Sequence, residues 1–402
     1  MGQRLAECPL FQWFCGIDAL DGVRVPGKSA LQQYAHWLDE GEMRKLIEGL
    51  LRSATGLGED PPLGLAESVE VGTIWLDATC VDANMHFPVD WVLLRDGVRT
   101  LMKAVALIRR HGLRHRMPEP GMFLSKINRL CMEMSAVRRQ SDSRRERKRV
   151  LRAMKKLARV VATHAHRYRQ LLDAQWERTD WTRKQAEGVL RRMDRMLELL
   201  PRAVKQAHER IIGERQVLNR QKLLSLYETE VRVIVRGKAG AEVEFGNQLL
   251  LAEQKDGVIV DWLLEREKVS ANPQMLEPCL QRIRQALPHA RLRGLGTDRG
   301  FSSRDNHLLL KQARLFDGIC PKDPAHLKRR LKVVRFIQIQ KRRAQTEARI
   351  AIFKNVFAGK PMRAKGFVNR QLAVSWCVLA HNLWVLARLP EKKEYWKLKK
   401  AA

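Results

Sequence analysis

The sequence predicts an α/β protein with a helical N-terminal region and a large helical insertion between its strands. Three observations predict it. Two short β-forming runs, residues 69–76 and 291–297, each end on an acid, Asp77 and Asp298. Residues 100 to about 227 read as helix throughout. At Glu230 the hydrophobic period shifts from 3.6 to 2, with Val231, Val233 and Val235 alternating with Arg232, Ile234 and Arg236.

Composition narrows the partners. The chain has 402 residues, enough for two or three domains with a real core. Lys and Arg number 75 against 44 Asp and Glu, a formal net charge of +31. Such an excess points to a polyanion, either nucleic acid or an anionic membrane surface. A ribosomal or nucleoid structural protein would share it. Membrane is the weaker option, because the N-terminal MGQRLAECPL lacks the apolar core of a signal peptide. The longest apolar stretch, 372–389, is broken by His381, Asn382 and Arg388 and reads as a buried helix. Seven cysteines without a CxxC pair fit a reducing cytoplasm and argue against a disulfide framework or a zinc site.

In chain order, residues 1–55 form three short helices. The first carries Trp13, Phe14, Ile17 and Leu20, the second spans 30–38 after Ser29 as N-cap, and the third spans 41–53. Either a helix-turn-helix DNA reader or a dimerisation module fits this pattern. Residues 56–66 are a Gly/Pro-rich linker. After Asp77 comes a polar series, Thr79, Asn84, Pro88, Asp90 and the turn Asp96-Gly97-Val98-Arg99. The helical block 100–227 folds back as a long antiparallel hairpin. Its basic face, with thirteen Lys/Arg against two acids between Arg138 and Arg169, includes Arg144, Arg145, Arg147, Lys148 and Arg149. That face is either solvated or a phosphate-binding surface. Two or three antiparallel strands follow, with turns at Gly237-Lys238-Ala239-Gly240 and Asp256-Gly257. A helix over 275–287, the strand to Asp298, one further strand near 318–322 and a helix over 332–357 complete the order, before a basic tail at 391–402.

A carboxylate at the end of a buried strand either caps the next turn or serves a cation with oxygen ligands. Glu347 is the only acid between Asp323 and Glu391, and Arg343, Glu347 and Lys354 fall on one helical face. It is either half of a surface pair with Arg343 or a third ligand. Three carboxylates at one point require divalent cations between them, and two such ions suit phosphodiester chemistry.

These residues resemble the DDE transposases of bacterial insertion sequences. The resemblance rests on Asp77-Ala78-Thr79 with Asn84, Pro88, Asp90 and Asp96-Gly97-Val98-Arg99, then Arg236-Gly237-Lys238 and Glu244-Phe245-Gly246. Thr297-Asp298-Arg299-Gly300-Phe301, the Arg343, Glu347, Lys354 spacing and Ala380-His381-Asn382-Leu383 complete it. It covers most of the chain. Gln340 stands where the family pattern has Tyr.

The resemblance implies a ribonuclease-H-like mixed-sheet catalytic core over 67–99 and 228–390, interrupted by the helical insertion at 100–227. It implies Asp77, Asp298 and Glu347 as a catalytic triad holding two Mg²⁺ ions, with Mn²⁺ able to substitute. Arg299, Arg343, Lys354 and Lys238 would meet DNA near that site. The partners implied are double-stranded DNA, as element terminal repeats and target, and a second copy of the chain in the DNA complex. No membrane is implied, and the location is the bacterial cytoplasm, on the nucleoid when DNA is bound. A non-catalytic DNA-binding protein, an inactive copy, or a metal-dependent nuclease without strand transfer would share many of these features.

Overall fold

A computed structural model describes Glu7, Cys8, Gln12 and residues 25–57, 63–137, 143–238, 241–266 and 272–391. The expected first helix with Trp13, Phe14, Ile17 and Leu20, the middle of the linker and all but the start of the basic tail lie outside these residues. So do Arg138, the tip of the 237–240 turn and the side chain of Lys238.

The sheet has six strands: β1 (Thr73–Asp82), β2 (Arg232–Lys238), β3 (Ala241–Glu253), β4 (Ile259–Leu264), β5 (Gly294–Thr297) and β6 (Phe316–Ile319). Its order is β2-β3-β1-β5-β6, with β4 also on β3. β1 runs antiparallel to β3 and parallel to β5, and β5 runs parallel to β6. The sheet is therefore mixed. The thirteen-residue β3 takes β2 along its first half and β4 along its second, on the edge away from β1.

Among the described residues, the helices α1 (Lys28–Ala35) and α2 (Glu40–Thr55) precede β1. A reciprocal cap starts α2, with Glu42 N–H donating to Asp39 and Asp39 N–H to Glu42. Met43, Ile47 and Leu51 of α2 are buried in the same core as the sheet.

Among the described residues, four α-helices lie between β1 and β2: α3 (Asp90–Arg110), α4 (Pro120–Val137), α5 (Ser143–Gln175) and α6 (Arg183–Ala207). They enclose a second core, from Leu93 to Leu226, built on the 3.6-residue recurrence of Val150, Leu151, Met154, Leu157 and Val161 against Val189, Met193, Met196 and Leu200. The expected hairpin is α5 with α6, which run antiparallel, Arg169 bonding Asp194 and Lys155 bonding His208. Periodicity alone does not separate the other two helices.

The expected turn at Asp96-Gly97-Val98-Arg99 is instead the middle of α3. A Cβ on Gly97 would stand 2.8 Å from Leu200 Cδ1 and 3.2 Å from Leu226 Cδ1, so glycine there serves close helix packing. Pro201 does not end α6, which continues to Ala207.

After β4 come α7 (Asn272–Ala286), then α8 (Arg304–Gln312) between β5 and β6, α9 (Pro324–Arg330), α10 (Val334–Ile352) and α11 (Phe367–Leu386). The expected helix to 357 changes to a π turn at Phe353–Ala358. The apolar stretch at 372–389 is largely α11, whose Asn382 brackets β4 by accepting from Ile259 N–H and donating to Ile259 O, both at 2.8 Å. Among the described residues no helix is long and apolar enough to cross a membrane.

Candidate active site

Asp77 lies within the ten-residue β1, not at its end. The strand end read from the sequence is a change of partner. β5 pairs with β1 only from Thr73↔Gly294 to Leu76↔Thr297, whereas β3 accompanies β1 on to Asp82. One further step in the parallel register sets Asp298 beside Asp77.

Both acids belong to the face covered by α10. Trp75 Nε1–H donates to Ile339 O of α10 at 3.0 Å, and a Cβ on Gly296 would meet Ile339 Cγ2 at 2.5 Å. Side chains alternate along a strand, so Asp77, two residues beyond Trp75, and Asp298, two beyond Gly296, share that face. Asp77 Oδ1 accepts from Ala78 N–H at 2.7 Å, and Asp298 Oδ1 from Gly300 N–H at 2.9 Å.

Glu347 lies on α10, the helix that covers this face. Gln340 and Glu347 lie seven residues apart, within about 20° of one another on α10, and Lys354 follows in the π turn. Gln340 Nε2–H donates to Thr297 O at 3.1 Å and Gly318 O at 2.6 Å, immediately before Asp298. Lys354 lies 3.9 Å from Asp82 at the far end of β1. Glu347 stands midway between these two anchors. Further along α10 the buried Glu253, the β3 partner of Trp75, accepts from Thr346 Oγ1 at 2.7 Å and pairs with Arg342 at 2.9 Å. Burial pulls the Arg342 guanidinium below its ordinary value, opposed by Glu253.

The register brings Asp77 and Asp298 together, and the three acids do not close on one point. The Glu347 carboxylate, 59% exposed, pairs with Arg343 Nη1 at 2.6 Å. Among the described residues, the group whose possible ligand atoms lie within 4.8 Å of one another is a different one: Cys80, Asp82 and Glu244. Its chemistry suits a cation poorly. Lys354 and Lys360 already face Asp82 at 3.9 and 3.8 Å, and burial, with the Asp82 and Glu244 carboxylates, pushes the Cys80 thiol far above its usual value. A metal ion held there would have to displace the thiol proton. By contrast, the carboxylate oxygens of Asp77, Asp298 and Glu347 are hard donors of the kind that magnesium takes.

The other expected residues divide. Arg299 is exposed on the turn after Asp298, and Arg343 orients Glu347. On α5, Arg144 and Arg145 are exposed and Arg147 lies over the Trp91 ring. Lys148 pairs with Glu214, and Arg149 with Glu133 and Glu146. Asp90 and Asp96, from the polar series after Asp77, are buried in α3, Asp90 held by Gln206 and Arg210 and Asp96 by Arg95.

Sequence reasoning missed several residues that support the region. Ser302 Oγ lies 3.1 Å from His307 Nε2, and His307 Nδ1 lies 2.6 Å from Asp317 Oδ2, tying the loop after Asp298 to β6. Asn306 Nδ2–H donates to Phe301 O in the same loop. Their signal, scattered polar residues in a Ser-rich loop, carries no spacing that would single them out. Comparison of the chain with protein-family models, curated proteins and solved structures gives no match.

Proposed function

We infer that the chain is a transposase, cleaving DNA and transferring strands by divalent-metal chemistry at Asp77, Asp298 and Glu347. The observation that carries this reading is the register: the parallel pairing that ends at Leu76↔Thr297 brings Asp77 and Asp298 side by side on the face covered by α10, the helix that carries Glu347. The sheet supports a ribonuclease-H-like core, with three antiparallel strands, two parallel strands beyond β1 and a helix across their face. The net charge of +31 supports DNA as the substrate.

In this reading Asp77 and Asp298 hold divalent cations from the rigid sheet and Glu347 completes the set from α10. Bound cations supply an activated attacking oxygen and neutralise the departing one. Asp298 is oriented for this by Gly300 N–H and by the anchored loop that follows. Glu347 reaches the pair by exchanging its Arg343 partner, and Arg343 is then released to a phosphate. Lys354 and Arg299 flank the acids and suit the DNA backbone.

The alternative, a DNA-binding protein without catalysis, draws on the Glu347–Arg343 ion pair, which is what a surface i,i+4 pair would give. The experiment that separates the two readings is Mg²⁺-dependent nicking of duplex DNA carrying the ends of the surrounding element. Each of Asp77→Asn, Asp298→Asn and Glu347→Gln should abolish nicking while DNA affinity stays within about twofold. Nicking that survives all three changes would remove the assignment.

A further inference from the structure

The α5–α6 hairpin carries cations of two kinds. Some are neutralised internally: Arg149 by Glu133 and Glu146, Arg169 by Asp173 and Asp194, Lys148 by Glu214. Others have no carboxylate within 4.0 Å among the described residues, namely Arg145, Arg152, Lys155, Lys156, Arg159 and Lys205. Self-neutralised cations do not need a polyanion. Unneutralised ones packed on one surface repel until an anion arrives.

The unneutralised set is ordered. Arg145, Arg152, Lys156 and Arg159 are exposed and fall within about 60° of one another at 100° per residue. From 145 to 159 they span about 21 Å of α5. At Arg159 this stripe meets a groove of about 300 Å³ between α5 and α6, floored by Ala158, Ala162, Leu200 and Val204. Lys155, Arg159, Lys205 and His208 line the same groove. Lys155 Nζ lies 2.9 Å from His208 Nδ1. A lysine ammonium has only donors, so His208 Nδ1 accepts and its Nε2 carries the proton. All four polar groups are thus donors, and an ammonium beside an imidazole with no acid at hand is an arrangement that an anion completes.

We propose that this groove and the stripe leading to it form a binding surface for the phosphate backbone of duplex DNA, separate from the candidate catalytic acids. The proposal rests on the reading of the chain as a DNA-acting protein. Duplex DNA is the occupant that the charge favours: the chain's formal net charge is +31, and these exposed cations have no carboxylate of their own within 4.0 Å among the described residues. The cations meet phosphates, so they position the helical insertion without reading sequence.

The test uses the full chain, a short duplex and EDTA, so that no cleavage intervenes. Binding is followed by fluorescence anisotropy across a KCl series. The triple variant Lys155→Gln, Arg159→Gln, Lys205→Gln should reduce the slope of log K against log salt by about 0.9 for each phosphate it no longer neutralises. The charge-retaining variant Lys155→Arg, Arg159→Lys, Lys205→Arg should keep the wild-type slope. So should Arg183→Gln, which removes a cation already paired with Glu187. Circular dichroism of the triple variant shows whether the helices persist. A wild type that binds with an unchanged slope in the triple variant overturns the groove and leaves the DNA reading intact. A wild type that binds no duplex at low salt overturns both. Tighter binding of single-stranded RNA than of duplex DNA overturns the choice of partner.

Discussion

Asp77 shows how much one side chain's setting depends on its neighbours' pairing. It sits inside a strand that β3 follows to Asp82, yet on its other edge β5 stops one residue short of it. The acid is therefore presented where the sheet's parallel half ends. Gly296 has a comparable role, because the absence of a side chain lets Ile339 of α10 lie against the sheet. A Cβ there would stand 2.5 Å from Ile339 Cγ2 and 2.8 Å from the Trp75 ring. Gly296→Ala should lift α10 and cost about 1–3 kcal/mol, as overpacking of a filled core does. A fall in the denaturant midpoint checks this, with a larger loss of metal-dependent activity because Glu347 moves with α10. An unchanged midpoint would mean that α10 is seated less closely than these distances require.

Among the elements, α11 carries a fully buried charge. Arg370 is fully buried, donating to Asn247 Oδ1 of β3 and pairing with Glu228 Oε2 at 2.5 Å. Removing one partner of such a pair leaves the other charge stranded in the core. Arg370→Met should cost about 3–5 kcal/mol, read as a lowered melting temperature, and Arg370→Met with Glu228→Gln should recover part of it. That network is hidden in the sequence, because an arginine in an apolar helix gives no hint of its partner 142 positions earlier. The elements themselves are more legible. The period-2 run after Glu230, the Asp256-Gly257 turn and the acid-terminated runs at 77 and 298 correspond to β2, β3, β4, β1 and β5. Asp96-Gly97 reads as a turn because the sequence shows a glycine's freedom and not Leu200 and Leu226 pressing against it. The site is legible as three acids in order. The seating of α10 by Gln340 and Glu253 is not, because those bonds join residues 43 and 93 positions apart.

For the whole molecule, charge and burial make opposite demands. The surface carries a large positive excess, while the sheet core takes in His381, 1% exposed, among Phe353, Phe357 and Trp384. Burial holds that imidazole below its ordinary value. The unfolded chain therefore binds a proton more readily than the folded one. The contribution is present above about pH 6.5 and is lost as pH falls below it. Thermal melts across pH 5 to 8, a range of about three units around that value, should show this limb, and His381→Phe should flatten it. A limb of equal slope in His381→Phe would assign the effect to other groups. The same division of charge leaves the candidate catalytic acids as an anionic point in a basic chain, which divalent cations and DNA together would neutralise.

The central claim is that Asp77, Asp298 and Glu347 perform metal-dependent phosphodiester chemistry, and Asp298→Asn tests it most directly. Wild type and variant are compared for nicking of element-end DNA in Mg²⁺ and Mn²⁺, with DNA affinity measured in parallel. The account predicts cleavage by the wild type alone and near-equal DNA affinity in both. Equal cleavage by the variant, or binding without cleavage by the wild type in either metal, would contradict it.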